Sequence, residues 1–229
     1  MALELNQVVP WGRTRAEYER MFDLGRKELS KKRILDCGGG PASLTAELAP
    51  TDTSCIAVDP IYIHSGDAIR ARFETTAPTI LNQVAKSPQD WVWSFHRNPQ
   101  HLFENRQAAL TRFLEDYSNR ARANSRYVAA ALPSLPFPRL SFDLALCSHL
   151  LFLYSNVLTA EFHVQAALEL CRVAREVRIF PLLDLSGQPS SALTTVRSAL
   201  ASSGWTSTVV KVDYELQRGG NSMLRIVRD

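Results

Sequence analysis

Arg33-Ile34-Leu35-Asp36-Cys37-Gly38-Gly39-Gly40-Pro41-Ala42-Ser43, read with Cys55-Ile56-Ala57-Val58-Asp59-Pro60 downstream, decides how this chain folds. An apolar strand runs into a glycine turn, a helix follows, and a second apolar strand ends in a carboxylate about 20 residues on. Glycines let the backbone come close to a ligand, and the N–H groups at the helix start face it. A strand-terminal acid such as Asp59 accepts both hydroxyls of a ribose. The pair of segments therefore implies a nucleoside cleft at the edge of a parallel sheet.

Outward from that core, strands and helices alternate. Thr14-Arg15-Ala16-Glu17 is a capping box, which predicts a helix to about Leu24 with Tyr18, Met21 and Phe22 on its apolar face. Strand one is Arg33 to Cys37, a helix opens at Pro41, and strand two is Ser54 to Asp59. From Ile61 to about Arg126 there are helix signals only. Ser87-Pro88-Gln89-Asp90 reads as a cap with proline, and Asn98-Pro99 starts a helix whose buried stripe is Leu110, Phe113, Leu114 and Tyr117. An ordinary strand-to-helix connection is far shorter, so residues 61–126 read as a helical insertion that lids the site.

Alternation then returns. Strands are predicted at Tyr127 to Ala131, Phe142 to Cys147 and Glu176 to Leu182. Helices are predicted from Thr159 to about Ala174 and from Ser190 to Ser203, the second closed by Gly204. Two last strands, Thr206 to Leu216 and Ser222 to Val227, flank a turn at Arg218-Gly219-Gly220-Asn221. The expectation is an α/β fold: one doubly wound, mostly parallel sheet with an antiparallel last strand. Residues 1–30 would form a helical cap, and 31–60 with 127–229 the core of a single domain.

Bulk properties set outer bounds. At 229 residues and 45% hydrophobic content the chain can bury one large core. No apolar run reaches the roughly 18 residues that span a bilayer, and Met1 to Pro10 has no signal-peptide pattern. The net charge of +3 is too small to argue for nucleic acid. Cys37, Cys55, Cys147 and Cys171 lack metal or disulfide spacing, which implies a reducing, cytoplasmic setting and no metal.

Leu35-Asp36-Cys37-Gly38-Gly39-Gly40, Asp59, and Leu135-Pro136-Phe137 with Ser141-Phe142-Asp143-Leu144-Ala145-Leu146-Cys147-Ser148-His149 together resemble a class I S-adenosylmethionine (SAM)-dependent methyltransferase. The last stretch is similar to that of small-molecule enzymes of the quinone-biosynthesis type. The resemblance implies a Rossmann-like, seven-stranded sheet and transfer of a methyl group from SAM to a small-molecule oxygen, nitrogen or carbon. It implies that Asp36 lies near the methionine amino group, Gly38, Gly39 and Gly40 near the methionine portion, and Asp59 on the ribose. Cys147 and Ser148 would line the far side, with His149 on the methyl group's path as a general base or a shaping residue.

Other positions follow from the same resemblance. Ala130-Ala131-Leu132-Pro133-Ser134 carries no acid, so adenine recognition falls to Leu132, or to Pro60 and Ile61. Tyr154 and His163 could flank the acceptor, and each also suits a packed residue with a satisfied polar tip. Arg13, beside Trp11, is either a carboxylate ligand or a surface residue. The insertion carries Arg97, Arg106, Arg112, Arg120, Arg122 and Arg126 near Trp91, Trp93, Phe95 and His96. That set suits RNA binding, or a solvated surface over a lid core. Two further readings stand beside the enzyme: a nicotinamide oxidoreductase, disfavoured by Ser43 where its fingerprint has glycine, and a catalytically silent SAM-binding protein.

Overall fold

The computed structural model describes residues 8–119 and 125–228. Arg120 and Arg122 of the insertion, and the first residues of the cap, lie outside them. Seven strands form one sheet: β1 Arg33–Cys37, β2 Ser54–Val58, β3 Tyr127–Val128, β4 Phe142–Ser148, β5 Ala174–Phe180, β6 Thr206–Lys211 and β7 Ser222–Val227. Their order is β3-β2-β1-β4-β5-β7-β6, and β7 runs antiparallel to both its neighbours. Along the chain, strands are added to one side of β1 as far as β3, then to the other side from β4. The topological switch point therefore lies at the carboxyl ends of β1 and β4, where open α/β sheets bind ligands.

The α-helices with both ends among the described residues are α1 Arg15–Met21, α2 Arg26–Leu29, α3 Leu44–Leu48, α4 Gly66–Lys86, α5 Pro99–Tyr117, α6 Ala160–Val173 and α7 Ala192–Ser202. Strand periodicity sorts the core into two layers. Leu35, Ala145 and Cys147 face α6 and α7 through Ala166, Leu170, Val196 and Leu200. Ile34, Leu144 and Leu146 face the other way, onto Tyr18, Met21 and Phe22 of α1 and Leu44 and Leu48 of α3. Between β2 and β3, α4 and α5 pack on each other through Ile69, Phe73, Leu110 and Phe113, a separate apolar cluster reaching Trp11.

Several boundaries differ from the sequence reading, each for a local reason. The helix expected at Pro41 begins at Leu44, because the N–H of Ser43 bonds back to Arg13 O (3.1 Å). Strand three stops at Val128, since the chain turns where Ser134 N donates to Ala131 O (3.2 Å). Ser87 caps no helix through its side chain; its hydroxyl donates to Gln83 O and accepts from Trp91 Nε1.

The largest correction is the closing hairpin. The last ladder pair is Lys211 with Ser222, so residues 212–221 form the loop and Arg218-Gly219-Gly220-Asn221 is only its end. The loop is long because it crosses the sheet edge and docks on the insertion. Val92 N donates to Leu216 O (2.8 Å), and the Arg218 guanidinium donates to the carbonyls of Gln89 (2.7 Å) and Trp91 (3.2 Å). Arg218 is thus a staple between loop and insertion rather than turn chemistry.

Candidate functional site

The register brings the ends of three strands together. Cys37 pairs with Val58 on one side and with Cys147 on the other. Gly38, Asp59 and Ser148 therefore meet at the carboxyl edge of the sheet. They line a cleft of about 610 Å³ with Gly39, Gly40, Pro60 and His149. Gly38 and Gly40 have φ of +69° and +52°, a region that side chains disfavour. A Cβ on Gly40 would meet only Asp59 Oδ2, at 3.9 Å.

Asp59 holds the turn and faces the cleft. Its Oδ2 accepts from Gly40 N (3.0 Å) and its Oδ1 from Ile61 N (2.8 Å). A carboxylate offers about four lone-pair sites, so each oxygen retains capacity for a ligand hydroxyl. Burial raises its pKa, and the two N–H bonds oppose that shift. The neighbouring Tyr62 Oη donates to Gly40 O (2.7 Å), and Tyr117 Oη donates to the carbonyls of Tyr62 (2.7 Å) and His64 (2.9 Å). Helix α5 thus fixes the segment after Asp59 through stacked Tyr62, Phe113 and Tyr117.

Three of the residues assigned to the cofactor stand behind the surface of the cleft. Asp36 is buried beneath the turn and accepts from Tyr18 Oη (2.9 Å). Burial raises its pKa to about 7, with the Tyr18 bond opposing and the charge of Asp59 adding to the rise. Leu132 and Cys147 belong to the apolar layer under α6.

The N-terminal segment forms the roof. Val8, Val9, Pro10, Trp11 and Arg13 all line the cleft. Gly12 lies against the turn so closely that a Cβ there would stand 2.1 Å from Pro41 O. Val9, Trp11, Arg13 and His149 also line a second, apolar chamber of about 70 Å³ together with Tyr154, Phe180 and Tyr214. The two cavities therefore meet at these four residues.

His149 sits at that junction with φ +54°, an unfavourable backbone for a side-chain-bearing residue. Its N–H bonds Phe180 O (2.6 Å), its ring meets Phe180 edge to face, and Nδ1 lies 2.8 Å from Ser148 Oγ. Burial first, then the charges of Arg13 and Arg106, hold its pKa well below the usual histidine range. Burial likewise pushes up the phenol of Tyr154, which lines the chamber but not the cleft. His163 lies elsewhere, stacked on Phe152 with Nδ1 on Thr159 O.

A buried polar cluster that sequence reasoning missed borders the chamber. Glu17, of the capping box, is fully buried. Its oxygens accept from Arg106 Nη1 (2.7 Å to each), Tyr214 Oη (2.9 Å) and Thr14 N (2.9 Å), and His96 Nε2 lies 3.0 Å away. The amide NH2 of Asn105 lies 3.0 Å from His96 Nδ1 and can only donate there, which leaves the ring proton on Nε2 toward Glu17. Burial works against ionisation of Glu17, yet Arg106 and His96 hold its carboxyl well below the usual range. Arg106 is therefore a core residue, not part of a solvated surface, and Arg126 pairs with Asp116 (2.7 Å). Only the composition of the capping box hinted at Glu17; nothing in the sequence linked it to Arg106.

Over 227 residues the chain is 30% identical to the uncharacterized protein MJ0045 of Methanocaldococcus jannaschii, spanning 99% of each. The chain belongs to that protein's family. No family model matches it. Among solved structures, the family member is similar to magnesium protoporphyrin IX methyltransferase from Synechocystis PCC 6803 with bound SAM. There identity is 13%, coverage 89% of this chain and 73% of that one, and the TM-score 0.47. For a SAM-dependent methyltransferase from Aquifex aeolicus the values are 14%, 86%, 82% and 0.44. Likeness at this level carries no chemistry from those enzymes to this family.

Proposed function

We propose that the protein is a SAM-dependent methyltransferase acting on a small molecule. The observation that carries this reading is Asp59. It follows the end of β2 and lines the cleft, one carboxylate oxygen holding the glycine turn through Gly40 N and the other accepting from Ile61 N. The residues present fit the cofactor: a carboxylate with unused acceptor capacity suits a ribose diol, and the open face of Gly40 leaves room for the methionine portion. The motif order quoted from the sequence supports the same assignment.

Asp59 would hold the ribose, and Gly38 to Gly40 the methionine portion. A bound SAM would supply the methyl group on a sulfonium, whose sulfur is the leaving group. The chain's own work is alignment and exclusion of water. Trp11 and Arg13 roof the cleft at its junction with the apolar chamber. His149, held largely neutral at pH 7 and with Nδ1 2.8 Å from Ser148 Oγ, would take the acceptor's proton on its imidazole. The RNA reading loses Arg106 and Arg126 to internal ion pairs.

The test is calorimetric titration with S-adenosylhomocysteine, sinefungin and NAD. Binding of the first two and not the third is the expected result. Binding of NAD alone would overturn the proposal.

A further inference from the structure

We infer that the apolar chamber takes a small carboxylic acid, its carboxylate paired with the Arg13 guanidinium at the junction with the cleft. As the identity of the methyl acceptor, this rests on the methyltransferase reading above; as a statement about the chamber, it does not.

The inference begins from a charge that lacks its partner. Arg13 lines both cavities. Its Nη1 donates to Trp11 O (2.5 Å), whereas its Nε is buried with no hydrogen-bond partner among the described residues. Arg106 is in the same condition: Nη1 serves Glu17, while Nε and Nη2 are buried without partners. An unpaired buried N–H of a charged group costs more than a neutral one, and of the two arginines only Arg13 lines the chamber, so its guanidinium is the place prepared for an acceptor.

Counting charge gives the same answer. Arg13 and Arg106 bring two positive charges to the cluster and Glu17 one negative. His96 and His149 are neutral at pH 7, since burial lowers both. One positive charge is left over, and its effect is visible: burial and the proximity of Arg106 bring Arg13 down to about 10. A monoanion closes this balance. A phosphate dianion would bring a second charge into a chamber walled by Ile80, Val84, Leu102, Leu153 and Phe180, which desolvation opposes.

The remaining walls fix the rest of the ligand. Trp11 presents its ring to Arg106, 5.9 Å from the guanidinium carbon, and stacks on Phe73. A carboxylate suits the planar fork of Arg13, and an aliphatic or aromatic body suits the walls. An acid so held directs its other groups toward His149, where the cavities meet.

The experiment compares acids with their uncharged amides: benzoate and hexanoate against benzamide and hexanamide, read by melting temperature and calorimetry. The acids should raise the melting temperature of the wild-type protein by roughly 2 °C or more at saturation, and the amides should not. Arg13→Gln should abolish that shift, and Arg13→Lys, which keeps the positive charge, should retain part of it. Equal shifts by acids and amides, no binding of any acid, or an unchanged acid shift in Arg13→Gln would each overturn the inference. So would loss of S-adenosylhomocysteine binding in Arg13→Gln with acid binding retained, which would give Arg13 to the cofactor. The acid–amide comparison on wild type needs no variant to fold. A wild type that binds acids but not S-adenosylhomocysteine would sink the methyltransferase reading and leave this one standing.

Discussion

Arg106 Nη1 lies 2.7 Å from both carboxylate oxygens of Glu17, joining helix α1 to helix α5 across the middle of the molecule. Both side chains are wholly buried. The pair ties the N-terminal cap to the insertion, and Tyr214 brings the β6–β7 loop to the same carboxylate. Three segments distant in sequence thus close over one edge of the sheet.

Breaking that pair from one side leaves a buried charge. Arg106→Leu should cost about 3–5 kcal/mol, read by urea denaturation. The double variant Glu17→Leu with Arg106→Leu should recover part of this loss, because neither charge is then stranded. A double variant at least as unstable as the sum of the singles would show that the ion pair is not the organising contact.

Asp36 gives a pH signature. Its folded pKa of about 7 lies above the ordinary carboxyl value, so between about pH 4 and 7 the folded state binds more protons than the unfolded. Its contribution to stability is therefore fully present in acid and is lost as pH rises to 7. Asp36→Asn keeps an acceptor for Tyr18 and removes the titration. The variant should melt close to wild type at pH 4 and above it at pH 8, by a margin on the order of a few kcal/mol. A gap independent of pH would contradict the assignment.

His149 combines a strained backbone with a depressed pKa. His149→Gly should be more stable than His149→Ala by about 1 kcal/mol, since glycine tolerates positive φ. Both should lower turnover by about 10²-fold or more and leave S-adenosylhomocysteine affinity within a few-fold. Because the imidazole is already neutral well below pH 6.5, the wild-type pH–rate profile should stay flat from neutral into mildly acidic solution. A fall in rate near pH 6.5 that vanishes in His149→Ala would contradict the lowered pKa.

Asp59→Ala should reduce affinity for S-adenosylhomocysteine by roughly 10²-fold, two hydrogen bonds to a charged acceptor being lost. Calorimetry on a variant whose melting temperature is retained checks this. Unchanged affinity would remove the ribose from Asp59.

The strands nearest the glycine turn were legible because buried parallel strands are written as short apolar runs. Ile34-Leu35 and Leu144-Ala145-Leu146 could be little else, and Asp59 announced itself by its distance from Gly38. Thr14, Asn98 and Thr159 marked helix starts because capping is local chemistry, and each cap is present. What stayed hidden depends on contacts far apart in the chain. Glu17 looked like half of a capping box, and nothing near it signalled Arg106 or Tyr214. Residues 212–216 of that loop read as strand because Val210, Val212, Tyr214 and Leu216 alternate with Lys211, Asp213 and Glu215; the loop's true course is set by docking against Trp91 and Val92.

Gly12 touches Pro41 backbone to backbone, with no room for even a methyl group. A mutation to alanine there would pry the Trp11–Arg13 strap away from the turn and uncover both hollows at once. The tripeptide Trp11-Gly12-Arg13, some twenty positions ahead of the first strand, therefore shapes the mouth of the cleft together with the three glycines that follow it.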